Sequence, residues 1–278
     1  MKLTVTKLKS FGAIVEPTTP GEDVCNVKIF ELRALFERDH LLVLRGFKTF
    51  DGKDEFSDYC ALWGEISVWP FGKVLELIEQ ENPVDHIFDH NYVPLHWDGM
   101  YRPQVPELQI FHCVSSPGVG NGGRTTFSNT ALVLERASQK ERDLWMRATG
   151  IYQRKMEFYD SRTTAPVITE HPVRGYPVIR YCEPPKRGDA SFVNHPDYEF
   201  QGVAAGEGDE LEQSLHQALY SPDNFYAHEW QEGDVVISDN YTLLHGREAF
   251  TSGAPRHLRR VHVLGTPALD NPHLVSHA

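Results

Sequence analysis

The sequence predicts a mainly β domain with helical decoration, and three observations carry that prediction. Short strand-like runs, among them "LLVLRGF" (41–47), "ELQIFHCV" (107–114), "DVVISDN" (234–240) and "RRVHVLG" (259–265), are bounded by Pro/Gly turns. Helical periodicity is confined to the start of the chain and to insertions, so helices do not alternate with strands as a doubly wound parallel sheet requires. No segment is long or polar enough to act as a linker, so the 278 residues read as a single domain, 1–278. A β-sandwich or barrel core fits this pattern.

In chain order, "VKIFELRALFERDH" (27–40) carries apolar residues at helical spacing, and the buried strand 41–47 follows it. "DGKDEFSDYCALWGEI" (51–66) opens with capping-type residues and predicts a helix ending near Gly64. "PLHWDGMY" (94–101) predicts a strand, on which His96 and Asp98 share a face opposite Trp97. Strand 107–114 comes next. "SNTALVLERASQKERDLWMRAT" (128–149) predicts one or two helices, "YPVIRYCEP" (176–184) a strand, and "DELEQSLHQALY" (209–220) a helix. Strands 234–240 and 259–265 complete the set.

Hydrophobic residues make up 40% and charged residues 24%, as in ordinary globular proteins. The net charge of -12 argues against nucleic acid or an anionic membrane as a partner, and obliges any anionic ligand to find locally placed arginines. Cys25, Cys60, Cys113 and Cys182 are widely spaced with no C-x-x-C pair, which speaks against a disulfide framework or a zinc knuckle. The N-terminus lacks an apolar signal region and no run approaches the ~20 residues of a membrane span. A cytoplasmic protein is expected.

"GVGNGG" (118–123) matches G-x-G-x-x-G, but the β-branched "RTTFS" follows it where a dinucleotide site needs a helix, so a strand connection is the better reading. "NYT" (240–242) is a formal glycosylation acceptor that means little without a signal peptide.

An imidazole and a carboxylate on one face are two metal ligands or a hydrogen-bonded pair. A distant third ligand decides between them, and His245, in a turn ending at Gly246, is the candidate. Two histidines and one carboxylate form a facial triad that suits Fe(II) and leaves positions open for a chelating cosubstrate and O2. The same trio also suits a catalytic zinc, as in a hydrolase, or survives as a remnant in a non-catalytic acid-binding barrel. A 2-oxo acid chelating iron needs a cation for its far carboxylate, and Arg does this better than Lys. Arg256 and Arg260 of "PRHLRRVHVLG" share a strand face, with His257 and Arg259 opposite; a solvated basic edge is the alternative.

These elements together resemble the taurine/2,4-D dioxygenase (TauD/TfdA) family of Fe(II)/2-oxoglutarate enzymes. "LLVLRGF", "LWGEI", "HWD", "GGRTTFSN", "EHPV", "GDVVISDN…LLHGR" and "PRHLRRVHV" run in the family's order over nearly the whole chain. The resemblance implies a double-stranded β-helix (jelly roll), iron held by His96, Asp98 and His245, 2-oxoglutarate held by Arg256 and Thr125, and an acidic substrate held by Arg260. The chain departs from the family where Arg124 replaces the acid of a Gly-Gly-Asp-Thr turn, which adds an anion contact as an option. Halogenating relatives lack the metal carboxylate, so the presence of Asp98 speaks against halogenation.

"WPFGKVLELIEQ", "DHIF…NYVPLHWDGMY" and "TLLHGREAF…APRHLRRVH" further resemble the PvcB-type dioxygenases that partner isonitrile synthases. That likeness implies an acidic aromatic substrate, a 2-isocyano-3-arylpropanoate delivered by such a synthase, with the tyrosine-derived one favoured over the tryptophan-derived one. The implied reaction is oxidative decarboxylation to a vinyl isonitrile, or desaturation with the carboxylate kept. Closeness to the motifs makes Trp69, Phe71, Tyr92 and Tyr101 candidates for the wall around the ring.

Overall fold

The computed structural model describes residues 1–276 except Phe158, Arg187, Ala190 and His195. Its larger sheet runs in the order Leu3–Lys7, Ala13–Pro17, Leu41–Leu44, Val235–Asp239, Leu108–Ser115, His257–Val263, Leu75–Ile78. Only the pairing of Ala13–Pro17 with Leu41–Leu44 is parallel. A smaller antiparallel sheet runs Phe225–His228, Thr125–Asn129, Leu243–Arg247, Val93–His96.

Side-chain alternation explains how the two sheets close on each other. Leu41, Val43, Phe111, Cys113, Val236 and Leu258 of the larger sheet meet Phe127 and Leu243 of the smaller one in a single apolar cluster. The intervening Leu42, Leu44, Ile110, Ile237, Val261 and Val263 point the other way, onto Leu32 and Phe36 of helix Ile29–Asp39, Phe56 of helix Lys53–Ala61, and Trp63. A strand buried on both faces is mostly apolar, which is why "LLVL" and "VVI" read as unbroken apolar runs. Two facing, mainly antiparallel sheets make the jelly-roll core.

The segment 128–149 divides into two helices because it contains two N-caps. Asn129 accepts from the Leu132 amide to start Thr130–Arg136, and Ser138 forms a capping box with Glu141 to start Gln139–Arg147. With Glu207–Leu219 these helices bury Val133, Leu144, Trp145, Leu211 and Leu215 against Leu95 and Leu244 of the smaller sheet.

Several expectations shift. The strand carrying His96 ends there, at Val93–His96, and Asp98 lies in the turn that follows. His245 lies inside strand Leu243–Arg247 rather than in a turn. "GVGNGG" is a connection with left-handed glycines at 118, 120, 122 and 123, and strand Thr125–Asn129 follows it. A further sheet was not anticipated from the sequence: Asp197–Gln201, Thr149–Met156, Tyr159–Pro166 and Val275–Ser276. None of the described helices is long and apolar enough to cross a membrane.

Candidate metal and cosubstrate site

Ligand atoms of His96, Asp98 and His245 lie within 4.8 Å of one another. Strand pairing sets this up, because His245 is directly opposite His96 in the register of the smaller sheet, with ring centroids 4.2 Å apart. Asp98 reaches them from the turn. Asn240 fixes that turn by accepting from the Asp98 amide at 2.9 Å and donating to the Asp98 and Pro106 carbonyls, each at 2.9 Å. Gly99 is needed next, at φ +85°, where a Cβ would sit 2.4 Å from Pro106 Cδ.

The protonation states suit a cation. Burial pushes the His245 imidazole well below its ordinary pKa, which leaves a neutral ring with a lone pair. Burial alone would raise the Asp98 carboxyl, but the Arg260 guanidinium, with the His262 hydrogen bond, holds it well below the usual range. The two carboxylate oxygens have different surroundings. Oδ2 accepts from Gln109 Nε2 at 2.6 Å, Arg260 Nη1 at 2.7 Å and His262 Nε2 at 2.8 Å. Oδ1 lies 3.6 Å from His96 Nε2 and takes none of these bonds, so it is the oxygen left for a metal. His96 Nδ1 lies 2.9 Å from the Pro94 carbonyl, which assigns its proton there and turns Nε2 toward the site. Two imidazoles and a one-sided carboxylate form a donor set that fits Fe(II).

Two partners of Asp98, Gln109 and His262, were missed by sequence reasoning. Their signal was faint: one polar residue inside "ELQIFHCV" and one inside "RRVHVLG", each at an inward-facing position of an apolar strand. Ser238 donates to Gln109 Oε1 at 2.9 Å, which fixes the amide so that its nitrogen faces Asp98. Trp69 Nε1, which can only donate, binds His262 Nδ1 at 3.2 Å and so places the remaining proton on the nitrogen facing Asp98.

Two cavities meet at this centre. One is lined by His96, His245, Thr125, Arg247, Arg256 and Arg260. Arg256 is 5% exposed there and its polar contact is Nε to the Gly123 carbonyl at 3.1 Å. It pairs with none of the described carboxylates, and burial lowers its pKa to about 9. Gly123, at φ +74°, leaves the room, since a Cβ would stand 3.0 Å from Arg256 Cδ. The Thr125 hydroxyl accepts from Trp230 Nε1 at 3.0 Å, so its own proton is available to donate into the cavity. A buried, unpaired guanidinium beside a hydroxyl donor has the chemistry to receive a carboxylate. Arg247 is committed elsewhere, to the carbonyls of His86, Ile87, Asp89 and Asn91. Arg124 is also committed, through a bidentate pair with Glu248 at 2.7 Å for each bond.

The second cavity shares His96 and Arg260 with the first and is walled by Trp69, Phe71, Tyr101, Tyr159 and Phe192. Trp69 stacks on Phe71 at 5.6 Å. Tyr92 is set apart: it lines a different surface groove, where its hydroxyl accepts from the Lys186 amide at 2.8 Å, and its ring meets Phe192 of this wall at 5.9 Å. Arg256, Arg260 and His262 share the inward face, whereas His257 and Arg259 turn outward to Glu76.

The sequence pattern of the family described as "Taurine catabolism dioxygenase TauD, TfdA family" matches residues 4–262. The chain is 53% identical to a tyrosine isonitrile desaturase of Pseudomonas aeruginosa, covering 95% of this chain and 91% of that protein. It is 39% identical to a 3-((Z)-2-isocyanoethenyl)-1H-indole synthase of Fischerella ambigua, covering 95% and 96%. Its structure superimposes with a TM-score of 0.85 and 47% identity, over 99% of this chain and 95% of the other, on PvcB, described as an Fe, alpha-ketoglutarate dependent oxygenase from an isonitrile synthetic pathway.

Proposed function

The chain belongs to the taurine catabolism dioxygenase TauD, TfdA family, and from that premise we propose that it is an Fe(II)/2-oxoglutarate-dependent oxygenase acting on an aryl isonitrile acid. The substrate favoured is the 2-isocyano acid derived from tyrosine, supplied by an isonitrile synthase, and the product is the aryl vinyl isonitrile. The carrying observation is the meeting of two unlike cavities at one His-Asp-His cluster: one with a buried unpaired arginine, the other aromatic. The similarity to tyrosine isonitrile desaturases supports the choice of substrate.

His96, Asp98 and His245 would hold the iron. When bound, the metal supplies the chemistry by which O2 and 2-oxoglutarate become succinate, CO2 and an oxidant able to take hydrogen. The chain's own residues provide position. Arg256 and Thr125 hold the far carboxylate of 2-oxoglutarate. Gln109, His262 and Arg260 keep Asp98 ionised and one-sided. Arg260, which lines both cavities, takes the substrate carboxylate in this reading. Trp69 and Phe71 exclude water along the ring and hold the benzylic carbon toward the cluster. The balance is one benzylic hydrogen, the carboxyl proton and CO2 lost from the substrate, with O2 and 2-oxoglutarate yielding succinate, CO2 and water.

The test is whether the tyrosine-derived isonitrile acid accelerates O2-dependent conversion of 2-oxoglutarate to succinate in the Fe(II)-loaded enzyme. Tight coupling of acid consumed to succinate formed is expected. Indifference to this acid and to its indole counterpart would overturn the substrate assignment.

A further inference from the structure

The aromatic cavity has a buried polar corner that neither the metal centre nor the 2-oxoglutarate site uses. Arg154, on strand Thr149–Met156, is ion-paired to the fully buried Asp85 and lies 3.2 Å from His86 Nδ1 through the same Nη2. Its Nε is buried and has no hydrogen-bond partner. Tyr101 is 7% exposed and its hydroxyl is likewise without a partner. Tyr101 stacks on Tyr159 with ring centroids 5.6 Å apart, and both phenols lie within electrostatic reach of Arg154. All these residues line the aromatic cavity. Buried donors without acceptors are costly, and two of them among the residues lining one cavity call for a ligand group that accepts from both.

We propose that Tyr101 and Arg154 form a receptor for the ring hydroxyl of a phenolic substrate, making them the residues that select a 4-hydroxyphenyl ring over an unsubstituted phenyl or an indole. This rests on the proposed function for the rest of the substrate. An oxygen carrying two lone pairs can accept from Arg154 Nε and the Tyr101 hydroxyl together, whereas an indole N–H only donates and cannot satisfy the guanidinium. Asp85 holds Arg154 in place, so the guanidinium is oriented before the ligand arrives. The carboxylate of the substrate stays with Arg260, on the metal side of the cavity.

The test measures affinity of the Fe(II) enzyme with 2-oxoglutarate, without O2, for 3-(4-hydroxyphenyl)propanoate and 3-phenylpropanoate by calorimetry. These probes differ only in the ring hydroxyl. The native protein should bind the hydroxylated probe about tenfold more tightly, since a site built around a hydroxyl is left unpaired by the analogue that lacks it. Tyr101→Phe should bring the ratio of the two affinities close to one. Arg154→Lys, which keeps a cation for Asp85 and therefore the fold, should also reduce the ratio. Equal affinities in the native protein overturn the proposal. So does a parallel loss of both probes in the variants with the ratio kept, which would assign Arg154 to the carboxylate. Selectivity for the hydroxylated probe, together with failure to turn over any isonitrile acid, would keep the corner as a phenol receptor and reject the proposed substrate instead.

Discussion

Replacing Arg256 by alanine tests the proposed cosubstrate anchor. The guanidinium is buried, pairs with none of the described carboxylates, and is pushed by burial from its ordinary value to about 9. A fall of that size corresponds to roughly 5 kcal/mol of disfavoured charge, of which an incoming carboxylate recovers a part. Truncating one partner of such a desolvated pair costs about 2–5 kcal/mol. At about 1.4 kcal/mol per decade, 2-oxoglutarate affinity should fall between about 30-fold and a few thousand-fold. Arg256→Lys should recover only part, because an ammonium lacks the fork that grips both carboxylate oxygens. The assay is anaerobic titration of 2-oxoglutarate into the Fe(II)-loaded protein, followed by the weak visible charge-transfer absorbance of the chelate. Wild-type affinity in both variants would refute the reasoning and release Arg256 from the anchor role.

Other outcomes follow from the same geometry. Asp98→Ala should abolish succinate formation while circular dichroism stays native, and normal turnover by that variant would remove Asp98 from the metal site. Arg260→Lys, which keeps a cation beside Asp98 but loses the fork, should leave 2-oxoglutarate affinity within a few-fold but lower the yield of product per succinate formed, measured by quantifying both; unchanged coupling would free Arg260 from the substrate role. Away from the site, burial would raise the Asp234 carboxyl, but Arg45, at 2.8 and 2.6 Å, and His228, at 3.1 Å, hold it below the ordinary range. A depressed carboxyl contributes stability that is present above the unfolded value near pH 4 and is lost as pH falls through the folded one. Asp234→Asn should therefore cost about 3–5 kcal/mol in urea unfolding at pH 7, with the difference shrinking below about pH 4; a pH-independent difference would contradict this account.

The parts of the fold legible in the sequence are those where a local pattern and the tertiary packing agree. "LLVL" and "DVVISD" are buried on both faces, so their apolar runs could only be core strands. The sheet holding Thr149–Met156 was not legible because "YQRKM" runs three polar residues together, with Arg154 half-buried through its ion pair with Asp85 rather than by apolar character. At the site, His-x-Asp and the distant histidine stood out as types and spacings. Arg256 precedes strand His257–Val263, whose pairing shifts register between His257 and Leu258, so strand period alone does not account for its lining the same cavity as Arg260. Gln109, His262 and Asn240 did not stand out, because their roles are hydrogen bonds between residues more than ten positions apart, up to 164 for His262 with Asp98. Arg124 looked available for an anion until strand pairing brought Glu248 beside it.

The central claim is oxidative removal of hydrogen and CO2 from an aryl isonitrile acid at the His96, Asp98, His245 cluster. Mass analysis tests it directly, after incubating the enzyme with Fe(II), 2-oxoglutarate, O2 and the tyrosine-derived isonitrile acid. The account predicts a product lighter than the substrate by CO2 and two hydrogens, formed one-for-one with succinate and absent with Asp98→Ala. A product lighter by two hydrogens alone would contradict the decarboxylation, and a product heavier by one oxygen would contradict the removal of hydrogen as the outcome.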